Sequence, residues 1–312
     1  MTSVLERSIT TALSEKISQI SGQIGNTPLL PITHLFKKNG VKIYAKAEWQ
    51  QLSGSVKARA AFKIFKNAAE SGEFTKGRSL LDATSGNTGI AYATLGSLLN
   101  VPVTLCMPEN ASSERKAILE SLGAEIIYTS KFGGTDEAQE VAAFLASQYP
   151  QKYFYADQYT NDLNWKAHYL TTAVEIYRDQ PGITHFVSGL GTTGTFTGTG
   201  SRLKEFNRNI KLVALQPDFA LHGLEGWKHL ETARIPAIYD ADLPDEIQEI
   251  PTQRAYDIIK DAARLEGLLL SPSSAANLAG AIQLAEQIEE GVIVTILPDN
   301  ADKYRDVIKQ IL

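Results

Sequence analysis

The segment THFVSGLGTTGT, residues 184–195, joins an apolar run to a glycine-rich turn and then to residues that can begin a helix. Glycine-rich turns of this kind bind phosphate groups, because small residues let backbone N–H groups approach an anion at a helix N-terminus. Gly189 to Gly194 also has the spacing G-x-G-x-x-G of dinucleotide-binding folds. The segment therefore predicts an anion site after a β-strand, with the kind of phosphate left open.

The rest of the chain alternates short β-branched runs with longer helical patterns, which predicts an α/β protein with parallel sheets and crossover helices. The predicted strands are 42–47, 79–83, 102–107, 124–129, 153–156, 185–188, 211–216 and 292–297. The predicted helices are 57–71, 111–122, 134–148, 194–206, 252–266 and 274–289, together with an amphipathic helix in the first 20 residues. Ligands of such folds bind beyond the carboxyl ends of the strands, where several of these loops lie.

Composition narrows the possible functions. The 312 residues carry a net charge of −5, which argues against nucleic acid or an anionic membrane as the main partner. A single cysteine, Cys106, excludes an internal disulfide framework and is typical of a reducing compartment. The five histidines have no metal-ligand spacing, and no apolar run approaches the length of a membrane span. We therefore expect a cytoplasmic protein that binds small molecules and no metal.

The phosphate loop alone leaves several ligands open. A dinucleotide site needs an acidic residue at the end of the next strand, and Asp218 lies just beyond the strand 211–216. An NAD-dependent dehydrogenase is therefore one alternative. A triphosphate-binding P-loop would need a lysine directly after Gly194, where the sequence has Thr195.

Two further motifs point to another cofactor. Lys57 lies among small residues in SGSVKARAAF at the predicted start of a helix, and a desolvated lysine can act as a Schiff-base nucleophile. The turn TSGNTG, residues 84–89, has hydroxyl and amide groups suited to hold a carboxylate at a helix N-terminus. Pyridoxal 5′-phosphate needs a lysine, a phosphate site and a partner for its ring hydroxyl. Lys57, the loop 191–195 and Asn87 supply these three.

The chain resembles the cysteine synthase (O-acetylserine sulfhydrylase) family of fold-type II pyridoxal-phosphate enzymes, and most closely its cysteine synthase B type. The motifs that carry the resemblance, in chain order, are GNTPLL, SGSVKARAA, TSGNTGIA, MPENASSERK, THFVSGLGTTGT, EGLLLSPSSAA and LPDNADKY. The resemblance implies two doubly wound α/β domains, as in the tryptophan synthase β subunit, with the active site in the cleft between them. It implies a smaller, mobile domain over 46–153 and a larger cofactor-binding domain from 1–45 plus 154–312.

The resemblance also implies a role for each matching residue. Lys57 would form the internal aldimine and then remove the substrate Cα proton, while Asn87 would bind the ring O3′. The cofactor phosphate would be held by Gly191, Thr192, Thr193, Gly194 and Thr195. The substrate carboxylate would be held by Thr84, Ser85, Thr88 and Gln158. Ser273 would face the pyridine nitrogen, with Ser274 as the alternative because the usual glycine after this serine pair is absent.

The implied reaction is β-replacement. O-Acetyl-L-serine, or O-phospho-L-serine, would lose its leaving group to give an α-aminoacrylate, to which sulfide or another sulfur donor adds to form L-cysteine. A related synthase that uses an amine to make a diaminopropionate-type product is an alternative. The resemblance further implies a homodimer.

Two departures from the family pattern lie close to the site residues. Gln50, Gln51 and Leu52 replace an Asn-Pro pattern before Lys57, and Ala58 replaces an aspartate after it. In the segment 221–240 this chain has Glu225 where some phosphoserine-using relatives have arginine. A carboxylate repels phosphate, so we expect O-acetylserine as the donor.

Overall fold

The computed structural model describes residues 4–74, 77–84 and 86–311. Its helices are α1 (Val4–Ile20), α2 (Lys57–Glu70), α3 (Asn87–Leu99), α4 (Ser113–Ser121), α5 (Gly134–Gln148), α6 (Leu163–Leu170), α7 (Thr172–Asp179), α8 (Gly194–Phe206), α9 (Thr252–Leu265), α10 (Pro272–Gln287) and α11 (Arg305–Ile311). Its strands are β1 (Leu29–Ile32), β2 (Val41–Ala47), β3 (Ser79–Ala83), β4 (Val103–Pro108), β5 (Glu125–Thr129), β6 (Tyr153–Tyr155), β7 (His185–Gly189), β8 (Lys211–Pro217), β9 (Glu246–Ile250) and β10 (Gly291–Leu297). None of the helices in these ranges is long and apolar enough to cross a membrane.

The chain divides into two compact units. Unit 1 groups the described residues of Met1–Ile24 with Lys57–Leu163, and unit 2 groups Gly25–Val56 with Asn164–Leu312. This division differs from the predicted domains, because the N-terminal helix belongs to unit 1. The physical reason is that α1 packs on α2 and α3, burying Leu13 and Ile17.

Unit 1 is built on a four-stranded parallel sheet in the order β5-β4-β3-β6. All five residues of the central strand β3 are buried, including the acidic Asp82. Helix α5 packs on this sheet and covers a cluster that contains Leu81, Ala83 and Cys106. Cys106 of β4 is a buried free cysteine.

Unit 2 is built on a six-stranded sheet in the order β1-β2-β10-β7-β8-β9, in which only the pairing of β1 with β2 is antiparallel. Alternate residues of β8 enter different cores, because successive side chains of a strand point to opposite faces. Val213 and Leu215 pack with α9 and α10, whereas Leu212 and Ala214 pack with α7 and α8. The sheet is therefore buried on both faces, which explains why its strands read as apolar runs.

Each predicted strand, and each predicted helix from residue 57 onward, has a counterpart that begins and ends within two residues of it, and the predicted N-terminal helix corresponds to α1. Strands β1 and β9 have no predicted counterpart. Both lie at sheet edges, and β1 is short and contains Pro31, while β9 carries Glu246 and Glu249. Edge strands can carry proline and charge because one side of their backbone is unpaired, so they lack the apolar pattern that identifies central strands.

Candidate active site

The predicted phosphate loop connects β7 to α8 in unit 2 and forms a tight turn. Thr193, the residue before α8, has a left-handed φ of 67°. In this conformation successive backbone N–H groups can point to the same side of the loop, as in anion-binding turns, whereas in extended chain they alternate. A Cβ on Gly191 would lie 2.1 Å from the carbonyl oxygen of Gly226, and one on Gly194 would lie 2.1 Å from Oδ1 of Asn164. A side chain at position 191 would therefore collide with backbone, whereas one at position 194 would displace the Asn164 side chain.

The start of this loop is anchored by a residue of α10 that was not assigned to the site. The N–H of Gly189 donates to Oδ1 of Asn277 at 2.6 Å, and Asn277 lies in the second turn of α10. The indole of Trp227 covers Gly189, since a Cβ there would lie 2.0 Å from its Cε2 atom. Sequence reasoning missed Asn277, although an asparagine within the alanine-rich α10 is a recognisable signal.

The end of the loop contacts a buried histidine. The ring nitrogens of His168 lie 2.9 Å from the Thr172 hydroxyl and 3.3 Å from the Thr195 hydroxyl. His168 is 1% exposed, so these contacts are shielded from water. His168 therefore supports the phosphate loop from α6.

In unit 1 the predicted carboxylate-binding residues meet at the end of β3. The Thr88 hydroxyl donates to Oε1 of Gln158 at 2.7 Å, and Nε2 of Gln158 donates to the Ala83 carbonyl at 2.9 Å. The Thr84 hydroxyl accepts the N–H groups of Gly86 and Gly89 at 3.2 and 3.3 Å. Residues 70 positions apart in the sequence thus form one polar cluster.

Two other predicted residues lie at helix starts in unit 1. Asn87 is the first residue of α3, and Lys57 is the first residue of α2, where its side chain is partly buried. Ala58, which replaces the aspartate of the family pattern, is buried. Ser85 lies outside the described residues.

A cation also lies against the carboxylate-binding turn. Arg115 of α4 is buried, and its guanidinium lies 3.7 to 3.8 Å from the position that a Cβ on Gly86 would occupy. Sequence reasoning did not identify Arg115 as a candidate, since arginine is common on helices. Its burial is visible only in the folded chain.

The two serines at the start of α10 differ in their hydrogen bonds. The Ser274 hydroxyl donates to the Asp299 carbonyl at 2.5 Å and accepts the Asp299 N–H at 3.3 Å. The Ser273 hydroxyl makes only the longer contacts, at 3.2 Å to the Ser271 hydroxyl and 3.5 Å to Oδ1 of Asp299. Ser274 is therefore engaged by the backbone, which favours Ser273 as the ligand-facing residue.

Gln51, one of the departures from the family pattern, has a structural role in unit 2. Its Nε2 donates to Oε2 of Glu48 at 2.8 Å, and its Oε1 accepts the N–H of Gly25 at 2.9 Å. The buried Glu48 in turn accepts the Thr27 hydroxyl at 2.7 Å. The glutamine therefore preserves a polar cluster at the end of β2.

The electrostatics of unit 1 centre on Asp82 of β3. Burial raises its pKa to about 8, and the nearby carboxylate of Asp157 adds to the shift. Burial raises the pKa of Tyr92 well above its usual value, and the same effect raises the pKa of Cys106 to about 12. Cys106 is therefore a protonated thiol at neutral pH, without the reactivity of a thiolate.

The residues present fit a bound phosphate. The hydroxyls of Thr193 and Ser55 are buried and have no hydrogen-bond partner among the described residues. Thr193 lies in a glycine-lined turn directly before α8, where backbone N–H groups and hydroxyls of the kind that bind phosphate come together. Within the described ranges no group of three or more His, Cys, Asp or Glu side chains could hold a metal ion.

Comparison with known proteins gives one consistent result. The family model described as pyridoxal-phosphate dependent enzyme matches residues 20–299. A cysteine synthase of Aquifex aeolicus is 43% identical over 289 residues, covering 90% of this chain and 88% of that protein. The cysteine synthase B of Escherichia coli is 37% identical, covering 92% of this chain and 94% of that protein. The crystal structure of a cysteine synthase from Entamoeba histolytica is similar with a TM-score of 0.86 at 32% identity, covering 92% of this chain and 88% of that chain.

Proposed function

Because this chain belongs to the family of pyridoxal-phosphate dependent enzymes, we propose that it is a cysteine synthase that replaces the β-substituent of an O-activated L-serine with sulfur. The comparisons confirm the expected cofactor, pyridoxal phosphate, and the expected fold, that of fold-type II enzymes. They also confirm the resemblance to cysteine synthases. The dinucleotide interpretation of Gly189 to Gly194 is wrong, because the family uses pyridoxal phosphate.

The observation that carries the proposal is the phosphate loop of unit 2. Thr193 has a buried hydroxyl without a partner among the described residues, at the N-terminus of the 13-residue helix α8. A monophosphate accepts hydrogen bonds from several donors and is stabilised by the positive end of a helix. We assign Gly191, Thr192, Thr193, Gly194 and Thr195 to the cofactor phosphate.

The remaining residues are assigned roles by their chemistry. When bound, pyridoxal phosphate withdraws electrons from the substrate Cα and thereby labilises its proton and the β-substituent. Lys57 attaches the cofactor and holds the Cα proton on its Nζ. Asn87 binds the ring hydroxyl and Ser273 the ring nitrogen. A serine at this nitrogen does not force protonation as an aspartate would, which favours prompt loss of the leaving group.

The substrate carboxylate is assigned to the cluster at the end of β3. Thr84, Ser85, Thr88 and Gln158 are the residues of this assignment. The contacts of Gln158 with Thr88 and with the Ala83 carbonyl support it, because they fix the amide of Gln158 at the end of β3. The first turn of α3 adds the N–H groups that a carboxylate prefers.

We assign O-acetyl-L-serine as the donor. The N–H of Lys228 donates to the Leu190 carbonyl at 2.7 Å, which places the segment 221–240 next to the phosphate loop of unit 2. Glu225 in this segment disfavours a second phosphate. Sulfide is the proposed nucleophile, and an amine is the alternative.

We also propose a cytoplasmic homodimer. The single cysteine supports a reducing compartment. Light scattering coupled to size-exclusion chromatography tests the assembly, and the expected mass is twice 34.1 kDa. A monomer mass would contradict this part of the proposal.

The function is tested on the purified protein loaded with pyridoxal phosphate. Borohydride should fix the cofactor covalently on Lys57, as located by peptide mass spectrometry. Lys57→Ala should form no L-cysteine from O-acetyl-L-serine and sulfide. Lys66→Ala, on the same helix but in a surface pair with Glu70, should retain activity and serves as the control.

Parallel reactions separate the alternatives. Activity with O-phospho-L-serine and none with O-acetyl-L-serine would overturn the donor assignment. Product formation with an amine and none with sulfide would overturn the nucleophile. A protein that binds NADH and takes up no pyridoxal phosphate would overturn the function as a whole.

A further inference from the structure

Asp82 is a buried carboxyl group in the centre of the unit 1 sheet, and the function above gives it no role. It is the fourth residue of β3, and its side chain is fully shielded from solvent. The strand pairs with β4 on one side and with β6 on the other. A carboxyl group at such a position costs free energy unless its oxygens are hydrogen-bonded.

Both carboxyl oxygens of Asp82 accept hydrogen bonds from the backbone. Oδ1 accepts the N–H of Ala83 at 2.8 Å, and Oδ2 accepts the N–H of Gln158 at 3.3 Å. The second bond links β3 to the turn that follows β6. Asp157 in this turn has a left-handed φ of 45°, an unfavourable conformation that contacts on either side must maintain.

The Gln158 side chain then returns to the same strand. Its Nε2 donates to the Ala83 carbonyl and its Oε1 accepts the Thr88 hydroxyl. These two contacts define which end of the amide carries the N–H groups, because a carbonyl can only accept and the threonine donates. Because Asp82 holds the backbone N–H of Gln158, the Gln158 side chain extends from a fixed backbone position to the Ala83 carbonyl and the Thr88 hydroxyl.

We propose that Asp82 is a positioning residue that, through Gln158, orients the amide nitrogen that donates to the α-carboxylate of the amino-acid substrate. The proposal rests on the function proposed above. It adds a determinant of substrate specificity, because only a substrate with a carboxylate can accept a hydrogen bond from the oriented Gln158 amide.

The groups that face Asp82 are consistent with a neutral acid at this position. Tyr92 faces it from α3, and Asp157 and Tyr159 approach it from the segment after β6. Cys106 of β4 pairs with Ala83 and points to the opposite face of the sheet. Burial keeps its pKa near 8, so at neutral pH most of it is protonated. A protonated Asp82 places no negative charge behind the group that binds a carboxylate.

The test measures substrate binding in the Asp82→Asn variant loaded with pyridoxal phosphate. Asparagine retains the acceptor for Ala83 but replaces the second oxygen by a donor that cannot accept the Gln158 N–H. The KM for O-acetyl-L-serine should rise about five- to tenfold with kcat changed less than threefold, as expected for one lost hydrogen bond. The dissociation constant of L-alanine, followed by the cofactor absorption spectrum, should rise by the same factor.

A double-mutant cycle tests whether Asp82 acts through Gln158. Adding Asp82→Asn to Gln158→Ala should weaken L-alanine binding no further than Gln158→Ala alone. Asp157→Asn removes a neighbouring carboxylate without touching this bond and is the matched control, with binding within twofold of wild type. Asp82→Glu retains both oxygens and should bind within threefold of wild type.

The outcomes separate this inference from the proposed function. The positioning role would be overturned if Asp82→Asn bound substrate as wild type does, or if the two substitutions were fully additive in the cycle. It would also be overturned if Asp82→Asn lost as much affinity for pyridoxal phosphate as for L-alanine. If Asp82→Asn yields no folded protein, Asp82→Glu provides the test. A loss of L-alanine affinity above tenfold in Asp82→Glu would also overturn the positioning role. Failure of wild type to form L-cysteine would instead overturn the function.

Discussion

Gly191 is a single residue at which the cofactor site depends on the absence of a side chain. A Cβ there would lie 2.1 Å from a backbone oxygen, that of Gly226, which cannot move as a flexible side chain can. The loop must therefore shift if this glycine is replaced, and the N–H groups that hold a phosphate shift with it.

Gly191→Ala should accordingly weaken pyridoxal phosphate binding at least tenfold, which is a loss of about 1.4 kcal/mol. Titration of the apoenzyme with pyridoxal phosphate, followed by absorbance, measures the affinity. Gly22→Ala is the control, because a Cβ on Gly22 meets nothing within 4 Å and its affinity should equal wild type. If wild type, Gly191→Ala and Gly22→Ala bound pyridoxal phosphate with equal affinity, the assignment of the loop 191–195 to the cofactor phosphate would be contradicted.

At the scale of elements, the helix α8 continues through Gly198 and Gly200, although glycine has a low helix propensity. A Cβ on Gly198 would lie 2.0 Å from the Trp165 carbonyl oxygen and 2.9 Å from the Tyr169 N–H nitrogen. The glycine therefore lets α8 approach the backbone of α6, which carries His168. Helix packing, and not helix propensity, explains this residue.

Gly198→Ala separates the two explanations. Helix propensity alone predicts a gain of about 1 kcal/mol, whereas overpacking predicts a loss of about 1 to 3 kcal/mol or more. We expect the loss, measured by denaturant unfolding. Ser201→Ala on the same helix, whose hydroxyl bonds only within the helix, should change stability by less than about 0.5 kcal/mol.

A buried ion pair joins two further elements of unit 2. Nζ of Lys46 in β2 lies 2.9 Å from Oε2 of Glu175 in α7 and donates to the Thr27 carbonyl at 2.8 Å. Removing one partner leaves the other charge buried, so Lys46→Met should cost about 3 to 5 kcal/mol of unfolding free energy. The double variant Lys46→Met/Glu175→Leu should be more stable than Lys46→Met in the same denaturant experiment. A double variant less stable than the single one would contradict this account.

For the whole molecule, Asp82 couples stability to pH. In the unfolded chain its carboxyl ionises near the ordinary value of 3.8, whereas burial keeps it protonated in the folded chain up to about pH 8. Unfolding between these values releases a proton, so this group makes the protein less stable as pH rises from about 4 to 8. Above about pH 8 the contribution of Asp82 to the free energy of unfolding no longer changes with pH.

Asp82→Asn should therefore show a smaller fall of the thermal unfolding midpoint between pH 5 and pH 8 than wild type, because asparagine does not titrate. Differential scanning calorimetry at several pH values measures the midpoints. Asp157→Asn should retain most of the slope of wild type, because burial is the largest cause of the raised pKa of Asp82 and the Asp157 carboxylate adds a smaller part. An identical slope in Asp82→Asn and wild type would show that Asp82 is ionised in the folded protein.

Much of this organisation is readable from the sequence because it is local. Strand and helix positions follow from the spacing of apolar residues, and the loops at 84–89 and 191–195 are recognised by their small and hydroxyl-bearing residues. The association of Lys57 with these loops rests on resemblance, since they lie far apart in the chain. Asp82 is a single acid in the predicted strand 79–83, and nothing local indicates which backbone groups its carboxyl contacts.

By itself, then, the sequence determined the α/β alternation, the cofactor class and the candidate residues, since each depends on near neighbours or on a recognisable motif. Only the tertiary structure decided that α1 belongs to unit 1, that Ser274 is engaged by Asp299, and that Asp82 holds Gln158. These facts depend on contacts between residues distant in the chain. Burial then determines which polar groups must be paired, and that pairing is what orients the proposed site.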